Sequence, residues 1–165
     1  MDELGIDELR EQFNQSRQGV RVLAILSPTC PPCLYGKEVV KELFDEFDSD
    51  SLRGFVVWIP MLSEDNVESA RFQEETLQDR RFVQGWDPER RIGNLFATTL
   101  NLRLTAWDVY LLYASGVKWE GKEPPPPTSW MHQLPQDWGA DGKLLLNPDR
   151  FFHEVNRLLE NSQRV

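Results

Sequence analysis

Two kinds of apolar spacing alternate along the chain. Ile6, Leu9 and Phe13 recur at helical spacing among charged residues, which predicts a short amphipathic helix over 6–16, ended by Gly19. Val20-Arg21-Val22-Leu23-Ala24-Ile25-Leu26 is then almost continuously apolar and is bounded by Ser27-Pro28, the pattern of a strand buried on both faces of a sheet. Leu34, Val39, Val40, Leu43, Phe44 and Phe47 return to spacings of three and four and predict a helix of about four turns, stopped by Asp48-Ser49-Asp50. Phe55 to Leu62 repeats the strand character. Strand, helix and strand at this spacing form a βαβ unit with a parallel pair. The segment between the first strand and its helix therefore lies at the carboxyl end of a central strand, where α/β sheets bind ligands.

Beyond this unit the pattern is more broken. A polar, helix-like segment runs from Glu64 to Asp79, and Phe82-Val83 predicts a short extra strand. Asp87-Pro88-Glu89-Arg90 has the form of a helix start, with Asp87 as N-cap and Pro88 in the first helical position, leading into Ile92, Leu95, Phe96 and Leu100. Val109 to Tyr113 and Val117 to Glu120 flank Ala114-Ser115-Gly116, which predicts a two-stranded hairpin. Pro124 to Pro127 form a stiff extended loop reaching Trp130, and Phe151, Phe152, Val155, Leu158 and Leu159 mark a closing amphipathic helix that starts at Asn147-Pro148. No internal repeat is visible, and the expectation is one α/β domain over 1–165.

Length and composition narrow the function. A chain of 165 residues with six Trp and nine Phe can bury a sizeable core without a metal or disulfide staple. Its net charge of −9 argues against a nucleic-acid partner. Arg80, Arg81, Arg90 and Arg91 are a local exception, read first as solvated side chains paired with nearby acids. The acidic start Met1-Asp2-Glu3-Leu4 lacks the form of a signal peptide, and no apolar run approaches the ~18 residues of a membrane span. A cytoplasmic location without membrane association is expected.

The chemistry lies in Cys30-Pro31-Pro32-Cys33, the only cysteines. A cysteine at a helix N-terminus faces unpaired N–H groups and the positive end of the helix dipole, both of which favour thiolate over thiol. Cys33, a turn later, can attack a mixed disulfide formed at Cys30, so the spacing suits a nucleophile and a resolving thiol. Pro31 and Pro32 stiffen the loop and also remove two backbone donors. A closed zinc site lacks ligands, since only His132 and His153 remain. Delivery of a soft metal ion by the dithiol alone needs no further ligand and stands as the alternative.

Ser27-Pro28-Thr29-Cys30-Pro31-Pro32-Cys33 between strand and helix, with a later Ser115-Gly116 turn, resembles the thioredoxin superfamily. The resemblance implies a three-layer sandwich with a mixed central sheet, helices on both faces and an extra helical insertion over about 64–104. It implies thiol–disulfide oxidoreductase activity on protein or small-molecule thiols and disulfides, recycling by a cellular reductant, and no cofactor. Thioredoxins carry a cis-proline before the hairpin strand; the matching position here is Asp108, preceded by Trp107, so that peptide is expected to be absent or replaced by a non-proline bond. The buried acid of the family's first strand matches Ala24, which leaves Asp108 as the nearest acid to the thiols, as proton acceptor or merely as a loop cap. Thr29 is a candidate thiolate donor or helix cap, and Trp130 to Leu134 a candidate flap bringing His132 to Cys30.

Overall fold

A computed structural model describes residues 1–163, so the last two residues of the expected 1–165 span lie outside the described residues. The elements run α1 (Ile6–Gln15), β1 (Val20–Leu26), α2 (Pro31–Glu46), β2 (Leu52–Trp58), α3 (Val67–Glu75), β3 (Phe82–Trp86), α4 (Arg91–Thr99), β4 (Val109–Tyr113), β5 (Ser129–His132) and α5 (Pro148–Ser162), with two single-turn 3-10 helices before α5. The strands form one mixed sheet in the order β3-β2-β1-β4-β5. β1, β2 and β3 are parallel neighbours, while β4 runs antiparallel to both β1 and β5.

β1 is central, and the period-two alternation of its side chains divides the core between two faces. Val22, Ala24 and Leu26 pack with Val40, Leu43 and Phe44 of α2 and with Phe151 and Val155 of α5. Leu23 and Ile25 face the other way, onto Leu9 and Phe13 of α1 and Ile92 and Phe96 of α4. This is the three-layer arrangement anticipated from the continuous apolar run, each large side chain contributing roughly 1.5–3 kcal/mol on burial. Arg21 is the polar member of β1. Its guanidinium lies 4.2 Å from the Phe13 ring centroid and donates to the carbonyls of Phe13 and Ala114, while burial pulls its pKa down to about 10.

Three boundaries differ from the sequence reading. Val117 to Glu120 is not a strand: the Asn14 side chain holds both the N–H and the C=O of Trp119, and the Trp119 ring fills the space between Phe13 and Phe96. The partner of β4 is instead β5, beyond the proline loop, with Val109 opposite His132. α4 begins at Arg91 rather than Pro88; Asp87 stays buried outside the helix and its carboxylate accepts from the Ile92 N–H at 2.8 Å. β2 spans Leu52 to Trp58, starting three residues earlier than the apolar run and stopping short of Pro60. The segment 64–104 contains the two helices α3 and α4 around the short edge strand β3.

Candidate active site

Cys30 occupies the N-cap of the 16-residue α2, in extended conformation, with Pro31 and Pro32 at the first helical positions. Those positions have no intrahelical N–H partner, so two prolines are tolerated there, and both project into solvent. The Leu34 N–H closes the first turn on the Cys30 carbonyl at 3.0 Å. Cys33 is fully buried on the inner side of that turn, where the Ser27 N–H donates to its sulfur at 3.4 Å; Cys30 keeps 5% exposure. Both thiols are free.

Their electrostatics are opposite. A hydrogen bond from Cys33 lowers the pKa of Cys30, against the opposing effect of burial and of the charges on Asp108 and Asp65. Burial pushes Cys33 well above the ordinary thiol range, and its role as donor to Cys30 adds to the effect. The thiol at the helix end is thus the more readily ionised of the two, and the buried thiol beneath it the less.

Asp108 closes the inner wall. Its backbone is left-handed (φ +54°), its N–H donates to the Ile25 carbonyl at 2.7 Å, and its side chain is only 2% exposed. No peptide among the described residues is cis; the unusual conformation at this position is the positive φ itself, which a non-glycine residue adopts only when its surroundings enforce it. The Tyr110 hydroxyl donates to Asp108 Oδ1 at 2.6 Å and Gln133 Nε2 donates to the same oxygen at 2.8 Å. Burial raises the Asp108 pKa, with the hydrogen bonds from Tyr110, Gln133 and Cys33 acting against the rise. Cys30 Sγ, Cys33 Sγ and a carboxylate oxygen of Asp108 all lie within 4.8 Å of one another, a set that supplies three donors for a metal ion as readily as it supplies a proton acceptor beside a thiol.

The Tyr110 phenol reaches this wall because α2 carries Gly36 there. A Cβ at Gly36 would collide with the Tyr110 hydroxyl and ring. Neither residue was singled out by sequence; a glycine in a helix interior, costing about 1 kcal/mol against alanine, was the available signal.

On the solvent side, Asp65 organises the approach to Cys30. Its Oδ1 accepts from the Thr29 N–H (3.1 Å) and hydroxyl (2.6 Å), and its Oδ2 accepts from the Ser27 hydroxyl (2.7 Å) and the N–H groups of Met61 (2.8 Å) and Leu62 (2.7 Å). The Thr29 hydroxyl is thus committed to Asp65, and α2 has no side-chain cap. His132 lies in β5, not on a flap. Its Nδ1 accepts from the Leu134 N–H and its Nε2 contacts the Asp141 carbonyl, so both ring nitrogens are engaged away from the thiols. The neighbouring Gln133 is the residue that reaches the site. Trp107 is half-buried against Trp138.

Three of the four arginines are paired with acids, as expected, and the fourth, Arg90, lies with Nη1 3.9 Å from Met61 Sδ. Arg81 pairs with Asp79 and donates to the carbonyls of Phe44, Phe47 and Ser49, while Arg80 pairs with Asp50 and Arg91 with Glu89.

No protein-family model matches the chain, and no curated protein is significantly similar to it. Solved structures are similar in fold. A candidate thioredoxin of Neisseria meningitidis superposes with a TM-score of 0.59 at 16% identity, over 92% of this chain and 83% of that one. DsbF of MTB gives 0.57 at 14% identity, over 86% and 81%. A secreted Mycobacterium tuberculosis disulfide oxidoreductase homologous to E. coli DsbE gives 0.55 at 12% identity, over 87% and 85%. The chain has a thioredoxin-like fold.

Proposed function

We propose that the protein is a thiol–disulfide oxidoreductase in which Cys30 is the nucleophile, Cys33 the resolving thiol and Asp108 the proton acceptor for Cys33. The observation that carries this reading is the asymmetry of the pair: an N-cap cysteine that keeps 5% exposure and has its pKa lowered, and a fully buried thiol whose sulfur lies within 4.8 Å of a carboxylate oxygen. Cys30 Sγ attacks one sulfur of a substrate disulfide and the other leaves as a thiolate. Cys33 then gives its proton to Asp108 and attacks Cys30 Sγ; the Cys30–Cys33 disulfide forms and the second substrate sulfur leaves with the electron pair. The dithiol is oxidised by two electrons and the substrate disulfide is reduced to two thiols. A cellular dithiol reductant restores the starting state.

Trapping tests the assignment. Cys33→Ser is expected to accumulate a mixed disulfide at Cys30, and Cys30→Ser to abolish exchange; trapping at residue 33 in the Cys30→Ser protein would reverse the roles. One solved neighbour, at 12% identity, is named a disulfide oxidoreductase, and DsbF, at 14%, is described in mixed oxidised and reduced forms; both lend support to the chemistry at the level of class. One of them is secreted, so the fold leaves the compartment open. A cytoplasmic site for this chain remains our proposal, and the fraction of the pair oxidised in cells measures it.

A second reading is favoured by one observation, the convergence of two sulfurs and a carboxylate oxygen. A soft or borderline ion held there would release two thiol protons and would compete with disulfide formation. Native mass spectrometry of protein purified without oxidant distinguishes the two. A stoichiometric ion together with no exchange activity would replace the oxidoreductase reading.

A further inference from the structure

The Asp108 carboxylate is loaded unevenly. Oδ1 accepts from both the Tyr110 hydroxyl and Gln133 Nε2, while Oδ2 accepts no N–H or O–H bond among the described residues. Gln133 also donates from Nε2 to the Pro32 carbonyl at 2.7 Å, inside the Cys-Pro-Pro-Cys loop. Its amide, directly after β5, therefore joins the inner wall, where it also reaches the Tyr110 hydroxyl at 3.2 Å, to the dithiol loop across 101 residues of sequence from Pro32. Pro31 and Pro32 have no N–H, so at these two positions the loop presents only carbonyls, and the one at Pro32 is taken by Gln133.

We infer that Gln133 is the positioning residue of the site: it fixes the Asp108 carboxylate with one oxygen turned to the thiols, and ties that carboxylate to the Cys-Pro-Pro-Cys loop. The inference rests on Asp108 acting as the base for Cys33. A side chain that only filled space would need no donor on either group, yet the Gln133 amide meets both at 2.7–2.8 Å, the lengths of well-formed hydrogen bonds. The remaining ionisable groups around Asp108 are Cys30 and Cys33 from α2, Tyr110 on its own strand and His132 from β5. Among these Tyr110 alone shares Oδ1 with Gln133, so Gln133 is the member that connects the acid to the loop.

Reaction of the reduced protein with an aromatic disulfide that releases a coloured thiolate separates the steps, because the first release reports attack by Cys30 and the second reports resolution by Cys33. Gln133→Leu keeps the volume and removes both donors; Gln133→Ala serves as the second variant. In both, the second release is expected to slow about tenfold, the scale of one lost charge-assisted hydrogen bond. The acid limb of its pH profile should move to higher pH, since the ionised carboxylate loses a donor. Asp108→Asn run in parallel separates the two levels. Slow resolution in Asp108→Asn with a wild-type rate and pH profile in both Gln133 variants would overturn the role of Gln133 and leave the base intact. A slowed second release with an unmoved pH profile would also overturn it, as simple loosening. An unaffected Asp108→Asn would remove the base reading itself.

Discussion

Two carboxylates flank the dithiol, and they are employed in opposite ways. Asp65, half-buried on the outer side, uses both oxygens to accept from Ser27, Thr29, Met61 and Leu62, and so pins the loop after β1 to the loop after β2. Asp108, on the inner side, is almost fully buried, takes its O–H and N–H donors on one oxygen alone, faces the Cys33 thiol, and sits in a backbone conformation that disfavours side chains. A carboxylate saturated by donors holds structure, because its charge is already satisfied. One that is desolvated and partly unsatisfied is poised to take a proton. Two acids near the same thiols thus differ in the donors around them, and the one proposed as the base is the less satisfied of the two.

The sharpest way to break this contrast is to neutralise each acid in turn. Asp108→Asn is expected to slow resolution by Cys33 by ~10²-fold, the lower end of general-base contributions, with initial attack by Cys30 much less affected; two-phase release kinetics read both. Asp65→Ala should act on stability instead, costing about 3 kcal/mol because backbone donors lose their acceptor, measured as a lower denaturation midpoint. The pH midpoint of its resolving phase should stay in place. If the two variants exchange these phenotypes, the division of labour is wrong.

Gly36→Ala probes the inner acid at one remove. Helix propensity alone favours alanine by about 1 kcal/mol, but the added methyl collides with the fully buried Tyr110 phenol. Overpacking should prevail, with a net loss of about 1–2 kcal/mol in thermal or denaturant unfolding and a slower resolving step as the hydroxyl leaves Asp108.

The smallest effect is in the pH dependence of stability. Burial raises the pKa of Asp108 in the folded state, so over the window from the ordinary carboxylate value of 3.8 up to that raised value the native state binds more protons than the unfolded state. Stability contributed by this group is full below the window and declines as pH rises through it. Asp79 works the other way: its ion pair with Arg81 lowers its pKa, and the stabilisation is lost as pH falls through the lowered value. Subtracting the Asp108→Asn stability curve from that of the wild type should leave only the first component, falling with pH. A flat difference would mean that Asp108 is not held in a desolvated state.

Much of the scaffold was legible because it depends on continuous stretches. Val20 to Leu26 announces a doubly covered strand, and the cysteines follow directly at its end, so the place of the dithiol at the start of α2 was legible. Counting back from Ser115-Gly116 to the position of the cis-proline in the thioredoxins it resembles also pointed to Asp108, which the structure places at the wall. What escaped depends on single side chains reaching across the fold. Asn14 diverts Trp119 from the expected hairpin, a choice that no local pattern reveals. Asp65 stands in a polar run where any acid looks solvated, and Gln133 next to a histidine that drew attention as the more reactive group. Gly36 was visible only as an irregularity in a helix, and its reason lies in Tyr110, 74 positions later.

The left-handed backbone at residue 108 also bears on how this wall relates to one built with proline. Proline holds φ near −65° and has no N–H, whereas Asp108 has φ +54° and donates to Ile25. Replacing Asp108 with proline would therefore reverse the local turn and unpair the Ile25 carbonyl together with removing the acid. Passing from one wall to the other therefore requires the backbone at residue 108 to change together with its side chain.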